Sequence, residues 1–450
     1  MKDLTQGPIP RHVLTMAVPI AAGMLLQTLY FIVDLYFVAR LGDAAIAGVS
    51  AAGNVMFIVF ALTQTLGVGT VALVSHAVGR KDRDEANHVF NQSVALAAVC
   101  ALLTLAAGYG LAGTYMEFFG ADAATRAAGV KFLATFTPGL ALQFALVVMG
   151  SGLRGTGIVK PTMVVQALTV VLNAVLAPIL IAGWGTGVAL GVAGAGLASS
   201  LSVAAGVVLM TLYFLRLEKY VGFDVSQWRP RLATWKKLLN IGLPAGGEFL
   251  FIGIYTGVMF WIIRDFGTAA QAGFGIGSRV MQMIFLPAMA VAFAAAPIAG
   301  QNYGARQAVR VRETFTSAAA ASCAIMFSMT LLCQWQGEAM IRFFTADADV
   351  VAVAVQFIHV VSWNFFAMGI VFTCSSLFQA LGNTWPALLS TGTRLLTFAG
   401  PAIFLSRQPG FQIVHLWYLS VATVLLQAVL SVYLLRLQFR ERLAFATAGD

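Results

Sequence analysis

The sequence predicts an all-α integral membrane protein, with twelve transmembrane helices in two homologous six-helix lobes around a central cavity. The first observation is composition, because 59% of the 450 residues are hydrophobic, 10% are charged and the mean hydropathy is +0.85. A chain of this composition has too little polar surface to cover a soluble globule of its size. The second observation is a series of long charge-free stretches, and the third is an internal repeat.

The charge-free stretches are long enough to cross a bilayer, which takes about 20 residues in a helix. They are continuously apolar rather than alternating, which favours helices. Charges, prolines and glycines divide them into twelve predicted spans: 12–39, 47–77, 89–115, 128–152, 160–183, 190–216, 237–263, 270–300, 314–335, 350–378, 384–406 and 412–435. The first span exceeds the apolar core of a signal peptide, so we expect it to be retained.

The basic residues indicate the orientation of these spans. With the N-terminus in the cytoplasm, nineteen of the 27 lysines and arginines lie on the cytoplasmic side and six on the other, while Arg279 and Arg394 lie within spans. An excess of basic residues marks the cytoplasmic side, so both termini are predicted in the cytoplasm and the protein in the inner (plasma) membrane. Contact of this excess with anionic lipid head groups explains the net charge of +9 without nucleic acid.

The two halves of the chain repeat each other. Residues 41–60 (LGDAAIAGVSAAGNVMFIVF) align without a gap with residues 266–285 (FGTAAQAGFGIGSRVMQMIF), and the same offset of 225 pairs Pro19 with Pro244. Because six spans are an even number, both halves enter the membrane in the same orientation, and their twofold axis follows the membrane normal. The predicted organisation is an N-terminal lobe at 1–215, a cytoplasmic linker at 216–237, a C-terminal lobe at 238–440 and a cytoplasmic tail at 441–450.

Several function classes lack their motifs here. The sequence has no GxxxxGK[ST] phosphate loop, no HExxH and no GxSxG, so ATP hydrolysis, metalloprotease and serine hydrolase activities are not indicated. Its four cysteines form no CxxC pair, so neither a disulfide framework nor a zinc site is expected. We therefore expect a secondary transporter without a cofactor rather than an enzyme. A receptor or an intramembrane enzyme is the competing class.

Asp34 is the candidate with the sharpest functional signal. It lies in FIVDLYFVARLG, at 31–42, within the first predicted span. A carboxylate at mid-bilayer depth costs roughly 2.5–3.5 kcal/mol on insertion scales, and ionisable residues inside spans mark ion pathways and proton relays. Asp34 is therefore predicted to bind a proton or a cation, and a structural carboxylate is the alternative.

Five segments resemble one known family. VDLYFVARLGDAAIAGVS, LVSHAVGRKDRDEANHVF, GLRGTGIVKPTM, GIGSRVMQMIFLPAMAVAFAAAPIAGQNYGARQAVRVR and FQALGNTWPALL are similar to the multidrug and toxic compound extrusion (MATE) family, in its bacterial branch, across essentially the whole chain. The resemblance implies a monomeric antiporter that exports amphiphilic, cationic drugs or metabolites in exchange for protons or sodium, with membrane lipids as its other partners. The alternative within the same superfamily is a flippase of a lipid-linked precursor.

The resemblance also implies a coupling site. In the family an aspartate that follows a proline in the first helix couples transport to the ion, and Asp34 with Pro19 matches that pair. Some members add NxxxD on the fifth helix and a hydroxyl on the sixth, which correspond here to Asn173 and Ser199, but Ala177 replaces the second carboxylate. The loss of one charge favours protons over sodium.

Other polar residues inside the predicted spans are candidates for the substrate cavity. The C-terminal half has Glu248, which either lines the cavity or pairs with Arg279 or Arg394. The expected role of Arg279 is hydrogen bonding between helices, with contact to an anionic substrate as the alternative, and His359 is either a packing residue or a proton relay. The complete predicted set is Gln27, Asn54, Gln64, Gln143, Glu248, Arg279, His359, Trp363 and Asn364. The 33 phenylalanines and 16 methionines suit a polyspecific apolar cavity.

The predicted topology can be tested by cysteine labelling in a variant whose four native cysteines are serine. Cysteines introduced at 79–88, 216–237 or 304–313 should resist an impermeant thiol reagent added to intact cells, because these loops face the cytoplasm. Cysteines introduced at 118–126 or 343–348 should react. Permeabilised cells provide the control, since all positions should then be labelled, and the reverse pattern in intact cells would contradict the orientation.

Overall fold

The chain is helical throughout the part that the structure describes. The structure is a computed structural model that describes residues 1–119 and 122–446, without the side chains at positions 31, 32, 34, 35, 119 and 446. The first half forms α1 (Ile9–Ala39), α2 (Asp43–Gly79), α3 (Arg83–Phe119), α4 (Ala123–Gly155), α5 (Lys160–Ala182) and α6 (Val192–Arg216). The second half forms α7 (Leu232–Ile263), α8 (Thr268–Gly304), α9 (Ala308–Arg342), α10 (Ala348–Val361), α11 (Phe365–Ala380), α12 (Trp385–Ser406) and α13 (Ile413–Arg442).

Within these described ranges, twelve helical segments are long and apolar enough to cross a membrane. α10 and α11 form one of them, Ala348–Ala380, because a short 3₁₀ turn joins them. The predicted fold class is confirmed. Several helices extend beyond the predicted bounds, as does α3, where the sequence predicts 89–115, whereas α5, α6 and α12 do not. Asp84 and Glu85 favour the longer helix because acidic side chains in a first turn interact well with the helix dipole.

The internal repeat is visible in the backbone as well as in the sequence. Gly42 and Gly267 have φ angles of 102° and 94°, and each precedes the second helix of its half. Lys81 and Arg306 have φ angles of 60° and 59°, and each follows that helix. A residue with a Cβ loses roughly 1–2 kcal/mol in this left-handed region. Both pairs are 225 positions apart, which supports two homologous halves.

These two basic residues end their helices in the same way. The N–H of Asp82 donates to the carbonyl of Ala77 at 2.9 Å, and the N–H of Gln307 donates to the carbonyl of Asn302 at 2.9 Å. Such hydrogen bonds satisfy carbonyl groups that have no partner within the last turn of a helix.

The chain forms two compact units. The first unit comprises Met1–Asp3 and Ala22–Leu243, and the second comprises Leu4–Ala21 and Pro244–Asp450. The division thus falls inside α1 and α7, close to Pro19 and Pro244, and not at the predicted linker, 216–237. Proline lacks an N–H and interrupts the hydrogen bonding of a helix, so each of these helices can pass from one unit to the other there.

The predicted linker is bound to α3 in the first unit. Asn91 accepts a hydrogen bond from the N–H of Asp224 at 2.8 Å and donates one to the carbonyl of Gly222 at 2.9 Å. Gln92 accepts one from the N–H of Arg231 at 2.9 Å. Both amide side chains are fully buried. The segment before α7 is therefore a docked element rather than a solvated linker.

The segment before α1 is docked in a similar way in the second unit. Gln301 accepts a hydrogen bond from the N–H of Leu4 at 3.0 Å, and Asn302 donates one to the carbonyl of Leu4 at 3.1 Å. Arg310 donates to the carbonyl of Gly7 at 2.9 Å. Each half therefore begins with a segment whose backbone is bound by amide side chains.

The fourth span of the first half contains a proline, and a side chain of a neighbouring helix replaces a backbone hydrogen bond that is interrupted there. Pro138 lies inside α4. Ser200 of α6 accepts a hydrogen bond from the N–H of Gly139 at 3.0 Å and donates one to the carbonyl of Thr135 at 2.6 Å. The hydroxyl thus bridges two backbone groups that would bond to each other in a regular helix.

The corresponding span of the second half breaks at the same position of the repeat. A 3₁₀ turn, Ser362–Asn364, separates α10 from α11. Gln334 of α9 donates to the carbonyl of His359 at 2.7 Å, and Thr330 donates to the carbonyl of Ser362 at 2.8 Å. Both breaks are therefore satisfied by polar side chains from adjacent helices, as hydrocarbon surroundings require.

Removal of the bridging hydroxyl should destabilise the first unit. We expect Ser200→Ala to lower the free energy of unfolding by about 1–2 kcal/mol, because two buried backbone groups lose their partner. Ser202→Ala is the matched control, since Ser202 is also buried in α6 but donates only to Ala198 of its own helix. Thermal unfolding of the purified protein in detergent gives the comparison. Equal losses in the two variants would contradict a bridging role.

Candidate coupling and substrate site

The first half positions the predicted coupling residues on α1, α5 and α6. The side chain of Asp34 lies outside the described residues, so its role stays a prediction. Pro19 is buried inside α1. Gly23 of α1 has no room for a Cβ because Oε1 of Gln166, on α5, occupies that space. The helix that carries Asp34 therefore borders the helix that carries Asn173.

α5 and α6 pack closely and run in opposite directions. A Cβ on Gly206 would lie 2.8 Å from Cγ2 of Thr169, so this glycine permits the close approach of the two helices. Near the other end of the pair, Gly194 lies directly against the carbonyl of Leu180. These two contacts define the register of the helix pair.

The register brings together residues that the sequence analysis selected and one that it did not. The glycine contacts place Asn173 and Ser202 at about the same level of the antiparallel pair, and Ser199 lies one turn from Ser202 on α6. All three side chains are buried. Ser202 could have been found from its spacing of three residues from Ser199, but its alignment with Asn173 required the helix packing. Ala177, which stands where related sequences have a carboxylate, is also fully buried.

The predicted substrate-cavity residues differ in their surroundings. Gln27, Asn54, Arg279 and Trp363 are exposed at the protein surface, Gln64, Gln143, Glu248 and His359 are half-buried, and Asn364 is buried. The described hydrogen bonds and ion pairs connect no two of these nine side chains. Their assignment to one substrate cavity stays a prediction.

Glu248 lies on α7, one turn after Pro244, and is held by a hydroxyl. Ser375 of α11 donates to its carboxylate, with Oγ 3.2 Å from Oε1 and 3.1 Å from Oε2. The predicted alternative of an ion pair with Arg279 or Arg394 is not found among the described contacts. A carboxylate within a span is thus bound only by a neutral donor, which leaves it able to take up a proton or to attract a cation.

His359 lies at the contact between α9 and α10. A Cβ on Gly337 would lie 3.1 Å from Nε2 of His359, so the imidazole occupies the space that this glycine leaves. The ring makes no described hydrogen bond. This position favours the packing interpretation of His359 over a proton relay.

The second unit contains a polar cluster that sequence reasoning did not assemble. The guanidinium carbon of Arg394, on α12, lies 4.6 Å from the ring centroid of Tyr255, on α7. Nη1 of Arg394 lies 4.0 Å from Sδ of Met368, and the hydroxyl of Tyr255 lies 2.9 Å from Oγ of Ser420. Arg394 stood out in the sequence as a charge inside a span, but its surroundings come from three other helices, α7, α11 and α13.

The described residues include no group of three or more histidine, cysteine, aspartate or glutamate side chains that could hold a metal ion. The twelve long apolar helical segments of the described residues define a polytopic membrane protein.

A family model described as MatE matches residues 19–179 and 244–401. The chain therefore belongs to the MATE family of efflux transporters. The two matches begin at Pro19 and Pro244, as the repeat predicts. Membership in this family also confirms that the chain is a transporter and not an enzyme.

Curated relatives cover nearly the whole chain. The multidrug export protein MepA from Staphylococcus aureus (strain MSSA476) is 26% identical over 439 residues, which is 96% of this chain and 95% of MepA. The probable multidrug resistance protein YpnP from Bacillus subtilis (strain 168) is 25% identical over 390 residues, 84% of each chain.

Solved structures share the fold. A transporter of the MOP superfamily from Pyrococcus furiosus has a TM-score of 0.91 at 21% identity, with 98% of each chain covered. The outward-facing conformation of a multidrug resistance MATE family transporter has a TM-score of 0.90 at 21% identity, again with 98% of each chain covered.

The contact between Glu248 and Ser375 predicts an energetic coupling. Ser375→Ala should cost about 1 kcal/mol of unfolding free energy in the wild-type protein, because the carboxylate loses its donor, and much less in a Glu248→Leu background. Ser376→Ala is the control, since Ser376 donates to the carbonyl of Ala292 and its effect should be equal in both backgrounds. Thermal unfolding of the wild type, the two single variants and the double variant gives the coupling free energy between Glu248 and Ser375. A coupling free energy near zero would refute the predicted interaction.

Proposed function

We propose that this protein is a secondary active antiporter of the inner membrane that exports amphiphilic, cationic drugs or metabolites in exchange for protons. Membership in the MATE family supports export, and the relatives described as multidrug export and resistance proteins support a broad range of substrates. The observation that carries the coupling mechanism is an aspartate inside the first span of a chain with few intramembrane charges.

The coupling site consists of Asp34 with Asn173, Ser199 and Ser202. The proposal is supported by the approach of Gly23 on α1 to Gln166 on α5, by the close packing of α5 against α6, and by the burial of the amide and the two hydroxyls. These groups are hydrogen-bonding partners for a carboxyl group, whether it is protonated or ionised. The side chain of Asp34 is the titrating group in this proposal.

Protons are favoured over sodium as the coupling ion. Hard cations are held by several oxygen ligands, and carboxylates are the strongest of these. Ala177 contributes a methyl group where a second carboxylate would stand, and it is fully buried. A proton needs only one carboxyl group, which Asp34 supplies.

Protonation is transmitted through the bend at Pro19 in this mechanism. α1 passes from the second unit to the first between Ala21 and Ala22, close to this proline. Since Pro19 donates no backbone hydrogen bond, a change in bend angle there breaks none at its nitrogen. Loss of the proton places a charge in α1 and requires water or a cationic substrate nearby, whereas the neutral carboxyl tolerates a dry surrounding.

The proposal is tested with Asp34→Asn, which removes the titrating group and nearly conserves its volume. In everted membrane vesicles with an acidic interior, substrate should drive proton release from wild-type vesicles and none above background from the variant. Imposed sodium and proton gradients applied separately identify the ion. Met259→Leu is the control, because Met259 occupies the corresponding position of the second half and is buried without a charge.

Proton-driven transport at the wild-type rate in Asp34→Asn would overturn the assignment of Asp34. Glu248→Gln in the same assay then decides whether the carboxylate of the second unit provides the coupling. Transport driven by sodium alone in the wild-type protein would overturn the choice of ion but not the export function.

A further inference from the structure

Arg394 is a cation near the middle of α12, and it forms no ion pair with any acid of the described residues. Its guanidinium group lies over the ring of Tyr255 at 4.6 Å, and its Nη1 has only the sulfur of Met368 at 4.0 Å. Its Nε is buried and has no hydrogen-bond partner. Thioether sulfur is a weak acceptor, so the N–H donors of this guanidinium group have no strong acceptor among the described contacts. An arginine inside a span is costly and marks a pathway or a binding site by default.

The nearest helices provide no carboxylate for this arginine. Glu248 is bound by Ser375, which lies two helical turns beyond Met368 on α11. The acceptor that would complete the guanidinium group is therefore absent from the described part of the second unit.

A second unsatisfied polar group lies in the 3₁₀ turn that precedes α11, the helix of Met368. Asn364 is only 1% exposed, and neither its Oδ1 nor its Nδ2 has a hydrogen-bond partner. It lies one turn before Met368, whose sulfur contacts Arg394. Buried amides are almost always hydrogen-bonded to protein, water or a ligand, so both atoms of this amide are available to bind water or a polar group of a ligand.

A third unsatisfied atom lies on α13, which packs against α12. Gln427 of α13 donates to Thr391 at 3.3 Å, and Thr391 lies one turn before Arg394 on α12. Oε1 of Gln427 is buried without a partner. Ser420 meanwhile holds the hydroxyl of Tyr255 at 2.9 Å, so the aromatic wall beside the guanidinium group is fixed in place.

We propose that Arg394, beside Tyr255 and Asn364, forms a subsite of the second unit that binds the carboxylate of amphiphilic substrates. A guanidinium fork matches a carboxylate through two parallel hydrogen bonds. The amide of Asn364 supplies a further donor, and the Tyr255 ring supplies an apolar surface for the body of the ligand. This subsite rests on the proposed export function and narrows it, because it selects substrates that carry a carboxylate together with their cationic group.

The test compares two dyes that differ only at a carboxylate. Rhodamine 110 carries a free carboxylate, and rhodamine 123 is its methyl ester with the same cationic ring system. Fluorescence anisotropy gives the dissociation constants of both dyes for the purified full-length protein in lipid nanodiscs. The wild-type protein should bind rhodamine 110 about 10-fold more tightly, the value of one charge-assisted hydrogen bond.

The variants separate recognition from structure. Arg394→Gln should abolish the preference by weakening the binding of rhodamine 110 about 10-fold, with little change for rhodamine 123. Arg394→Lys, which keeps the charge but loses the fork, should fall between the two. Arg407→Gln is the matched control, because it removes an exposed arginine at the end of the same helix, outside the subsite, and it should preserve the preference.

If the variants of Arg394 do not fold, Asn364→Leu provides an independent test of the subsite. It should weaken the binding of rhodamine 110 a few-fold without lowering the unfolding temperature, because the buried amide has no partner to lose. Equal affinities of the wild-type protein for the two dyes, or parallel losses for both dyes in Arg394→Gln, would overturn the subsite. Loss of the preference while Arg394→Gln still exports rhodamine 123 supports it, whereas intact preference without export of either dye contradicts only the proposed function.

Discussion

The structure depends on one constraint, which is that backbone N–H and C=O groups must find partners inside the protein wherever water is absent. Continuous helices meet this requirement along most of each span. Where the helical hydrogen bonding is interrupted, side chains take its place, as Ser200 does beside Pro138 and Gln334 does before the 3₁₀ turn that contains Asn364. These breaks are therefore fixed features of the packing, and both halves place them at the same point of the fourth span. The docked segments before α1 and α7 follow the same logic, since amides such as Asn91 and Asn302 bind their backbone.

The repeated scaffold carries different chemistry in its two units. The position of Asp34 in the first half corresponds to Met259 in the second, and Glu248 corresponds to Gly23, where the amide of Gln166 occupies the space of a side chain. Arg394 corresponds to Thr169, which packs against a glycine of α6. Under the proposed function, the partners of Asp34 in the first unit are neutral amide and hydroxyl groups. The second unit contains a carboxylate and an arginine that do not pair, which suits two separate binding roles rather than one ion pair.

Sequence reasoning found the spans, the repeat and the family, but it did not find the side-chain contacts that hold particular segments and charges in place. The segment 216–237 has the composition of a solvated linker, and nothing in its residues shows that Asn91 and Gln92 of another helix bind it. An ion pair between Glu248 and an arginine was a reasonable alternative, because all three charges lie in spans of the same half. Ser375 provides the contact instead, and a single serine on an apolar helix carries no signal of such a role. Ser202 was overlooked for the same reason.

The sequence alone determined the properties that depend on local composition and on spacing along the chain. Apolar runs of sufficient length must become membrane helices, the distribution of basic residues predicts their orientation, and an offset of 225 relates the halves. Only the tertiary structure decided which helix faces meet. It placed Asn173 opposite Ser202, divided α1 and α7 between the two units near Pro19 and Pro244, and left Arg394, Asn364 and Gln427 with unused polar atoms. The physical reason is that burial of a single polar side chain is decided by residues far away in the chain, whereas the apolar character of a span is a sum over its own residues.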